Sequence, residues 1–201
     1  MLVLSGCIFL FLGPEVLYEE TFSGSTADQW SLTDDDNITL SIEDGKYHFR
    51  FKSSETVIQR SRNIEQGPFD NFQIDADVTH ISGENHLTAL GVLFRIADWD
   101  NLYGFRIGPG GTYSIWKRIG GTFELLVDWT ASDAINQGAA TNHLTVQADR
   151  GALTFLINGS QVEQLSDVSI ASGDIGVYAR TYDGVTNAHM AFDNIVVTEL
   201  E

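Results

Sequence analysis

Apolar and polar residues alternate in short runs along most of the chain, which is the pattern of β-strands with one buried face. The clearest region is the middle, where Gly, Pro, Asn and Asp interrupt the apolar runs. Gly permits positive φ, Pro fixes φ, and Asn and Asp bond to their own backbone, so these interruptions are turn signals. The pattern therefore predicts an antiparallel meander of three strands, over residues 89–96, 102–107 and 112–117.

The same alternation recurs on both sides of this meander. In the segment 72–78 it places Phe72, Ile74, Ala76 and Val78 on one face. No stretch shows the 3.6-residue spacing of an amphipathic helix, and about thirteen short strands follow one another at hairpin spacing. The chain is predicted to be an all-β, two-sheet antiparallel sandwich, with residues 16–201 as a single domain and no interior linker or repeat.

Composition narrows the possible partners. The 201 residues include 28 acidic and 11 basic side chains, for a formal net charge of −17. Nucleic acid is excluded as a partner, because no basic surface exists to neutralise phosphates. An acidic surface is compatible with cation binding, although it more often serves solubility alone.

The first residues predict export. Residues 1–12 are almost entirely apolar, too short to cross a bilayer but of the length of a signal-peptide core. The sequence Leu4-Ser5-Gly6-Cys7 resembles a bacterial lipobox, which implies lipidation of Cys7, a leader over residues 1–15 and a membrane contact made only through that lipid. No basic residue precedes it, and an apolar run follows Cys7. An ordinary export signal or a buried first strand are the alternatives; the leading expectation is an extracytoplasmic, secreted or surface-anchored protein.

Eight phrases together resemble the concanavalin A-like lectin/glucanase superfamily, in its non-catalytic, laminin-G-like bacterial branch. They lie at residues 17–22, 45–47, 69–72, 91–95, 100–105, 158–159, 173–177 and 192–197. Each phrase is weak alone, but their order and spacing are fairly specific. The resemblance implies a jelly roll of one convex and one concave sheet, with glycan bound on the concave sheet.

A glycan site needs aromatic rings, which stack on the apolar faces of sugars, beside polar groups that bind hydroxyls. The residues of the central meander and of one late strand that offer both are Arg95, Trp99, Asn101, Tyr103, Arg106, Tyr113, Trp116, Tyr178 and Arg180. Strand alternation places Arg95 opposite to Val92 and Phe94. It is therefore expected either to line the concave groove or to pair with a carboxylate under the sheet.

The resemblance also implies one structural calcium ion that ties the first strand to the last. The matching positions are Glu20, the carbonyl of Gly45 and Asp193. Carboxylate and carbonyl oxygens are the ligands that calcium prefers. The alternative for Asp193 is that its side chain only caps a turn.

Catalysis is not indicated by a motif. Retaining glucanases of this superfamily carry Glu-x-Asp-x-Glu on the concave face, and this spacing does not occur here. Asp75 and Asp77 share a spacing of two, but their apolar neighbours put them on an outer face. An acid pair assembled from distant strands stays open. The main hypothesis is a non-catalytic lectin-like module for poly- or oligosaccharides; the alternatives are a glycoside hydrolase or polysaccharide lyase, and a laminin-G-like adhesion module.

Overall fold

The computed structural model describes residues 13–53, 57–61, 68–182, 184–185 and 187–200. Cys7 and most of the predicted leader lie outside the described residues. The described part contains a single 3-10 turn, Ser25–Gln29, and strands β1 Val16–Glu20, β2 Thr33–Asp34, β3 Ile38–Glu43, β4 Lys46–Phe51, β5 Val57–Ser61, β6 Phe72–Ser82, β7 Thr88–Asp98, β8 Asn101–Gly108, β9 Thr112–Ile119, β10 Thr122–Ala131, β11 Thr141–Asp149, β12 Ala152–Ile157, β13 Ser160–Ser166, β14 Asp174–Thr181 and β15 His189–Glu199. Within these residues, no helix has the length and hydrophobicity to cross a bilayer.

The strands form two antiparallel sheets. The larger has the order β13-β12-β11-β6-β15-β4-β3-β2, with β1 also paired to β15; the smaller has the order β10-β9-β8-β7-β14-β5. Strands that are distant in sequence, such as β6 and β15, are neighbours, so the connections cross between the sheets. The prediction of an all-β, two-sheet antiparallel sandwich is confirmed.

The core lies between the two sheets and follows the alternation of the sequence. In β6, alternate residues are fully buried, and these are the predicted set Phe72, Ile74, Ala76 and Val78. They pack in one cluster with residues of the smaller sheet such as Phe105. Burying a Val, Ile or Phe side chain contributes about 1.5–3 kcal/mol, which makes this layer the main stabilising element.

The predicted meander is confirmed as β7, β8 and β9, which are consecutive neighbours in the smaller sheet. The alternation is interrupted in β7, where the register shifts between Phe94 and Asp98 and Arg95 has φ of 48°. A bulge of this kind redirects the side chains on either side of it.

Each sheet has an outer side, and the two differ in chemistry. We call the outer side of the smaller sheet the aromatic face; it carries Arg106, Trp116, Phe123, Trp129, Tyr178, Arg180 and Tyr182. The outer side of the larger sheet is the polar face; it carries His48, Gln73, Asp75, Asp77, His143, Thr145, Gln147 and His189.

Candidate functional site

A pair of polar groups spans the centre of the aromatic face. Arg106 in β8 lies opposite Gly91 in β7, and Gly91 lies opposite Tyr178 in β14. Arg106 Nη1 donates a hydrogen bond of 2.9 Å to Tyr178 Oη across this glycine. A Cβ atom on Gly91 would lie 2.0 Å from the Phe105 carbonyl oxygen, so the position requires glycine.

The next row along the sheet holds a tryptophan lying flat on the strands. Trp116 in β9 lies opposite Gly104 in β8, and a Cβ on Gly104 would approach the indole ring to 2.3 Å. The ring is 1% exposed and contacts Tyr178 and Phe123, with centroid distances of 5.6 Å and 5.3 Å. Gly104 therefore provides the space that lets Trp116 cover the sheet.

Arg106 is enclosed by aromatic rings. Its Cζ atom lies 4.7 Å from the ring centroid of Trp129, 5.6 Å from Tyr178, 5.8 Å from Phe123 and 6.0 Å from Trp116. These distances are within the range in which a guanidinium is attracted to a ring face. Arg106 is only 4% exposed, whereas Trp129 and Phe123 remain 37% and 48% exposed, so the rings are what a ligand meets first.

A cavity of about 270 Å³ opens beside Trp129. Its walls combine small residues with polar groups: Asn85, His86, Leu87, Thr88, Gly108, Gly110, Thr112, Trp129 and Tyr182. The guanidinium of Arg180 stacks on Tyr182, with 4.3 Å between Cζ and the ring centroid. The cavity thus has an aromatic wall, amide, imidazole and hydroxyl groups, and a cation behind Tyr182.

Four of the sequence-predicted ligand residues meet on the aromatic face: Arg106, Trp116, Tyr178 and Arg180. Arg95 does not, and both expectations for it are corrected. It is fully buried, and its guanidinium donates to three main-chain carbonyls, those of Asp70, Arg150 and Ile170. The bulge and positive φ at Arg95 turn its side chain toward these loops, so it neither lines the groove nor pairs with a carboxylate.

Two predicted tyrosines face the core instead of the ligand. Tyr103 stacks on Phe94, with 5.2 Å between centroids, and its hydroxyl donates to Asp167. Burial and this acceptor raise the pKa of Tyr103 to about 12. Tyr113 donates to the Val162 carbonyl at 2.9 Å. Both lie on the inner side of their strands, which removes them from the candidate surface.

Trp99 and Asn101 lie in the β7–β8 turn, at the end of the sheet opposite to the cavity. Asn101 holds this turn: its Nδ2 donates to both carboxylate oxygens of Asp98 at 3.0 Å, and its Oδ1 accepts from Gly120 N. Trp99 is 45% exposed. They form a rim far from Trp129, and nothing in the geometry brings them to the cavity.

Sequence reasoning missed the residues that dominate the exposed part of the face, Phe123, Trp129 and His86. The first two lie on β10, whose register against β9 shifts twice, after Leu125 and after Val127. These bulges break the period of two, so alternation could not assign Trp129 to the outer side. The high aromatic content of residues 123–129 was the only available signal.

The three predicted calcium ligands differ in how well their surroundings suit a calcium ion. Glu20 is fully buried; one carboxylate oxygen accepts from Phe22 N, and Oε2 has no hydrogen-bond partner within the described structure. A Cβ on Gly45 would lie 3.7 Å from the Thr21 carbonyl oxygen, so the hairpin is beside the chain that follows Glu20. Asp193 fits poorly, because its carboxylate accepts from Asn194 N and lies 3.6 Å from the Lys46 ammonium. No group of three or more His, Cys, Asp or Glu side chains in the described ranges is arranged to hold a metal.

Carboxylates are placed away from the cavity. Asp75 and Asp77 lie on the polar face, as their pattern predicted, and both contact the ring of His143, at 3.2 Å and 2.8 Å. Burial opposes protonation of His143, but the two carboxylates raise its pKa above the usual range. This triad is on the far side of the sandwich from the aromatic rings.

A family model describes almost the whole chain. The model of the 3-keto-alpha-glucoside-1,2-lyase-like domain matches residues 18–198. No curated protein matches the chain.

Solved structures share the fold at low sequence identity. A carbohydrate-binding module, CBM66 from Bacillus subtilis, is 17% identical, with 85% of this chain and 96% of the module covered and a TM-score of 0.64. A beta-glucanase from Bacillus licheniformis is 11% identical, covers 91% and 98%, and has a TM-score of 0.65. The catalytic domain of a laminarinase from Thermotoga petrophila is 11% identical, covers 94% and 99%, and has a TM-score of 0.64. These likenesses confirm the concanavalin A-like jelly roll.

Proposed function

Because the chain belongs to the 3-keto-alpha-glucoside-1,2-lyase-like domain family, we propose that it binds an oligo- or polysaccharide on the aromatic face, at the cavity beside Trp129. The fold it shares with a carbohydrate-binding module and with glucanases supports a saccharide as the partner. A protein partner would be served by a flat apolar surface, whereas this face combines a cavity with polar groups.

The observation that carries the proposal is the composition of the cavity. Trp129 is partly exposed and offers a flat ring to the apolar side of a sugar, while Asn85, Thr88 and Thr112 offer hydrogen-bonding groups on the other walls. Saccharide sites need both elements, because each pyranose has an apolar face and a belt of hydroxyls. A volume of about 270 Å³ accommodates one or two sugar units.

Affinity electrophoresis and calorimetry against a polysaccharide panel test this proposal. Trp129→Ala is expected to weaken binding at least tenfold, since it removes the exposed ring. Trp99→Ala is the matched variant, because Trp99 is comparably exposed at the opposite end of the sheet. Loss of binding in Trp99→Ala with full binding in Trp129→Ala would move the site to the β7–β8 turn.

A second candidate is a lyase, favoured by the imidazole of His86 in the cavity and by the family description. In a 3-keto sugar, the proton on C2 is acidic because it lies beside the ketone. In this proposal His86, which lines the cavity, is the general base that removes it. The electron pair forms the C1=C2 bond, the glycosidic oxygen leaves with the C1–O electrons, and solvent protonates that oxygen.

The lyase candidate has its own readout, because the product is a conjugated enone that absorbs in the ultraviolet. Wild-type protein incubated with a 3-keto disaccharide is expected to produce this absorbance. His86→Ala is expected to lose it while still binding the polysaccharide that the panel identifies. An unchanged rate in His86→Ala would refute His86 as the base, and no enone with wild type would leave the binding function alone.

We also propose a structural calcium ion at Glu20. Its buried oxygen without a partner and the main-chain carbonyls near Gly45 supply the kind of oxygen ligands that calcium takes. Calcium is expected to raise the melting temperature relative to EDTA, because a ligand bound only to the native state stabilises it. Glu20→Gln should abolish that shift, and Glu19→Gln, exposed on the same strand, should keep it. Equal melting temperatures for wild type in calcium and in EDTA would refute the site.

Export through the leader remains our proposal for localisation, with lipidation at Cys7. Metabolic labelling with a lipid precursor, compared between wild type and Cys7→Ser, distinguishes a lipoprotein from a secreted protein.

A further inference from the structure

The aromatic face carries two cations. Arg106 and Arg180 lie on β8 and β14, on either side of β7, and neither has a carboxylate partner among the described residues. The only acids of these three strands are Asp98 and Asp174, both at strand ends. Asp98 pairs with Asn101, five residues before Arg106, and Asp174 lies six residues before Arg180. At about 3.3 Å per residue, these separations are about 16 and 20 Å.

Several hydrogen-bond donors on this face also lack acceptors. Arg106 Nε, Arg180 Nε and Trp116 Nε1 are buried and have no hydrogen-bond partner within the described structure. All three groups only donate hydrogen bonds, so no rearrangement among them can satisfy one another. Arg106 itself is 96% buried, since only 4% of it is exposed.

Several other described cations pair with carboxylates, whereas Arg95 and Arg118 bond to main-chain carbonyls. Arg50 bonds to Glu43 at 2.8 Å, Lys52 to Asp34 at 2.6 Å, and Lys117 to Asp167 at 2.7 Å. The chain has 28 acidic residues for 11 basic ones, so acceptors are abundant. Arg106 and Arg180 nevertheless have no carboxylate partner among the described residues.

We propose that this face recognises an anionic saccharide, whose carboxylate or sulfate ester binds at Arg180 beside the cavity. The inference rests on the proposed function and specifies its ligand. Arg180 supplies the fork of donors that matches a carboxylate or sulfate. Arg106 adds positive potential from beneath Trp129, and Trp129 stacks on the sugar ring.

The net charge of −17 determines which probes are suitable. A long polyanion is repelled by the rest of the surface, and this repulsion extends over a Debye length of about 8 Å at physiological salt. Short oligosaccharides that fit the cavity avoid most of that surface. The test therefore uses trigalacturonate and its methyl ester, which share one sugar backbone and differ at the carboxyl groups, together with a sulfated and a desulfated galactan oligosaccharide.

Calorimetry is expected to give at least tenfold tighter binding for the charged member of one pair. Preference for trigalacturonate identifies a carboxylate, and preference for the sulfated oligosaccharide identifies a sulfate ester. Equal affinity within both pairs overturns the inference and leaves saccharide binding intact. No binding of any of the four, nor of any neutral polysaccharide of the panel, overturns the proposed function as well.

Substitutions test which side chains produce the preference for the charged oligosaccharide. Arg180→Gln is expected to lower the affinity for the charged member to that of its neutral partner, without changing the latter. Arg150→Gln is the matched control, because this side chain is 83% exposed and projects from a turn of the larger sheet. Arg106→Met is the second variant; with an unchanged melting temperature, it should reduce the same preference. A charge preference that survives in both Arg180→Gln and Arg106→Met contradicts the assignment.

Discussion

The two outer faces of the sandwich are both built on antiparallel strands. They differ in whether their buried polar groups have hydrogen-bond partners. On the polar face, Asp77 accepts from His143 and Asn194, each at 2.8 Å, and Asp75 accepts from Gln73 and Thr145. On the aromatic face, three buried donors have no acceptor in the described structure. The carboxylates of the polar face are bonded within the chain, whereas the aromatic face leaves these three donors unpaired among the described residues.

This difference is the reason for proposing the aromatic face as the ligand site. A buried donor without a partner costs about 1–3 kcal/mol, so such groups are rare and each calls for an explanation. The side chains of the polar face bond to one another across neighbouring strands, and this cross-strand pairing is a sufficient reason for their presence. Titratable groups alone would have pointed to Asp75, Asp77 and His143, on the wrong side of the molecule for the aromatic rings.

The largest expected effect comes from filling the space under Trp116. Gly104→Val places a Cβ where the indole ring now lies, so the ring must leave the sheet. We expect a loss of about 3 kcal/mol in the free energy of unfolding, measured by urea denaturation, together with loss of saccharide binding. Gly24→Ala is the control, since a Cβ there meets nothing within 4 Å. A stable, binding-competent Gly104→Val would disconnect Trp116 from the site.

The next effect is on the polar face at acid pH. His48 Nδ1 and His189 Nε2 lie 2.8 Å apart, and burial with the nearby charges lowers the pKa of His189 to about 4. Below pH 6.5, His189 becomes protonated in the unfolded state while it is still neutral in the folded state. The free energy of unfolding therefore decreases as the pH falls to about 4. After discounting for solvent, we expect about 1 kcal/mol, measured as the difference between wild type and His189→Gln at pH 7.5 and 4.5. A constant difference over that range would contradict the lowered pKa.

His143 should titrate in the opposite direction. Its folded pKa is raised, so the protonated ring stabilises the native state below pH 6.5, and this contribution is lost as the pH rises through the folded pKa. The side chain is 45% exposed, so the effect is expected to stay below about 1 kcal/mol. Urea denaturation of wild type and His143→Gln from pH 5.5 to 8.5 should show the two stabilities converging. Divergence at high pH would show that Asp75 and Asp77 do not raise the pKa.

The smallest effect is expected from removing one side-chain hydrogen bond between neighbouring strands of the larger sheet. Thr79 and Thr141 share a hydrogen bond of 2.8 Å in an exposed cross-strand pair. Thr79→Ala should cost only about 0.5 kcal/mol, because water replaces the lost partner. Saccharide affinity should not change. A change in affinity would mean that the polar face takes part in binding.

The fold could be predicted because it depends on local patterns. Strict alternation placed Phe72, Ile74, Ala76 and Val78 in the core, and turn residues marked the meander of β7, β8 and β9. Two bulged strands of the smaller sheet, β7 and β10, defeated this reasoning. In β7 the pattern could not reveal the turned Arg95, and in β10 it could not assign Trp129.

By itself, the sequence determined an acidic, all-β sandwich, since strand period and turn chemistry act between residues that are close along the chain. Tertiary structure alone decided which of the candidate side chains share one face. Arg106 meets Trp129 and Tyr178 only because β8, β10 and β14 are brought into one sheet, and its lack of a carboxylate depends on where distant acids fall. Whether a buried donor is satisfied is a property of the assembled surroundings, which no local pattern encodes.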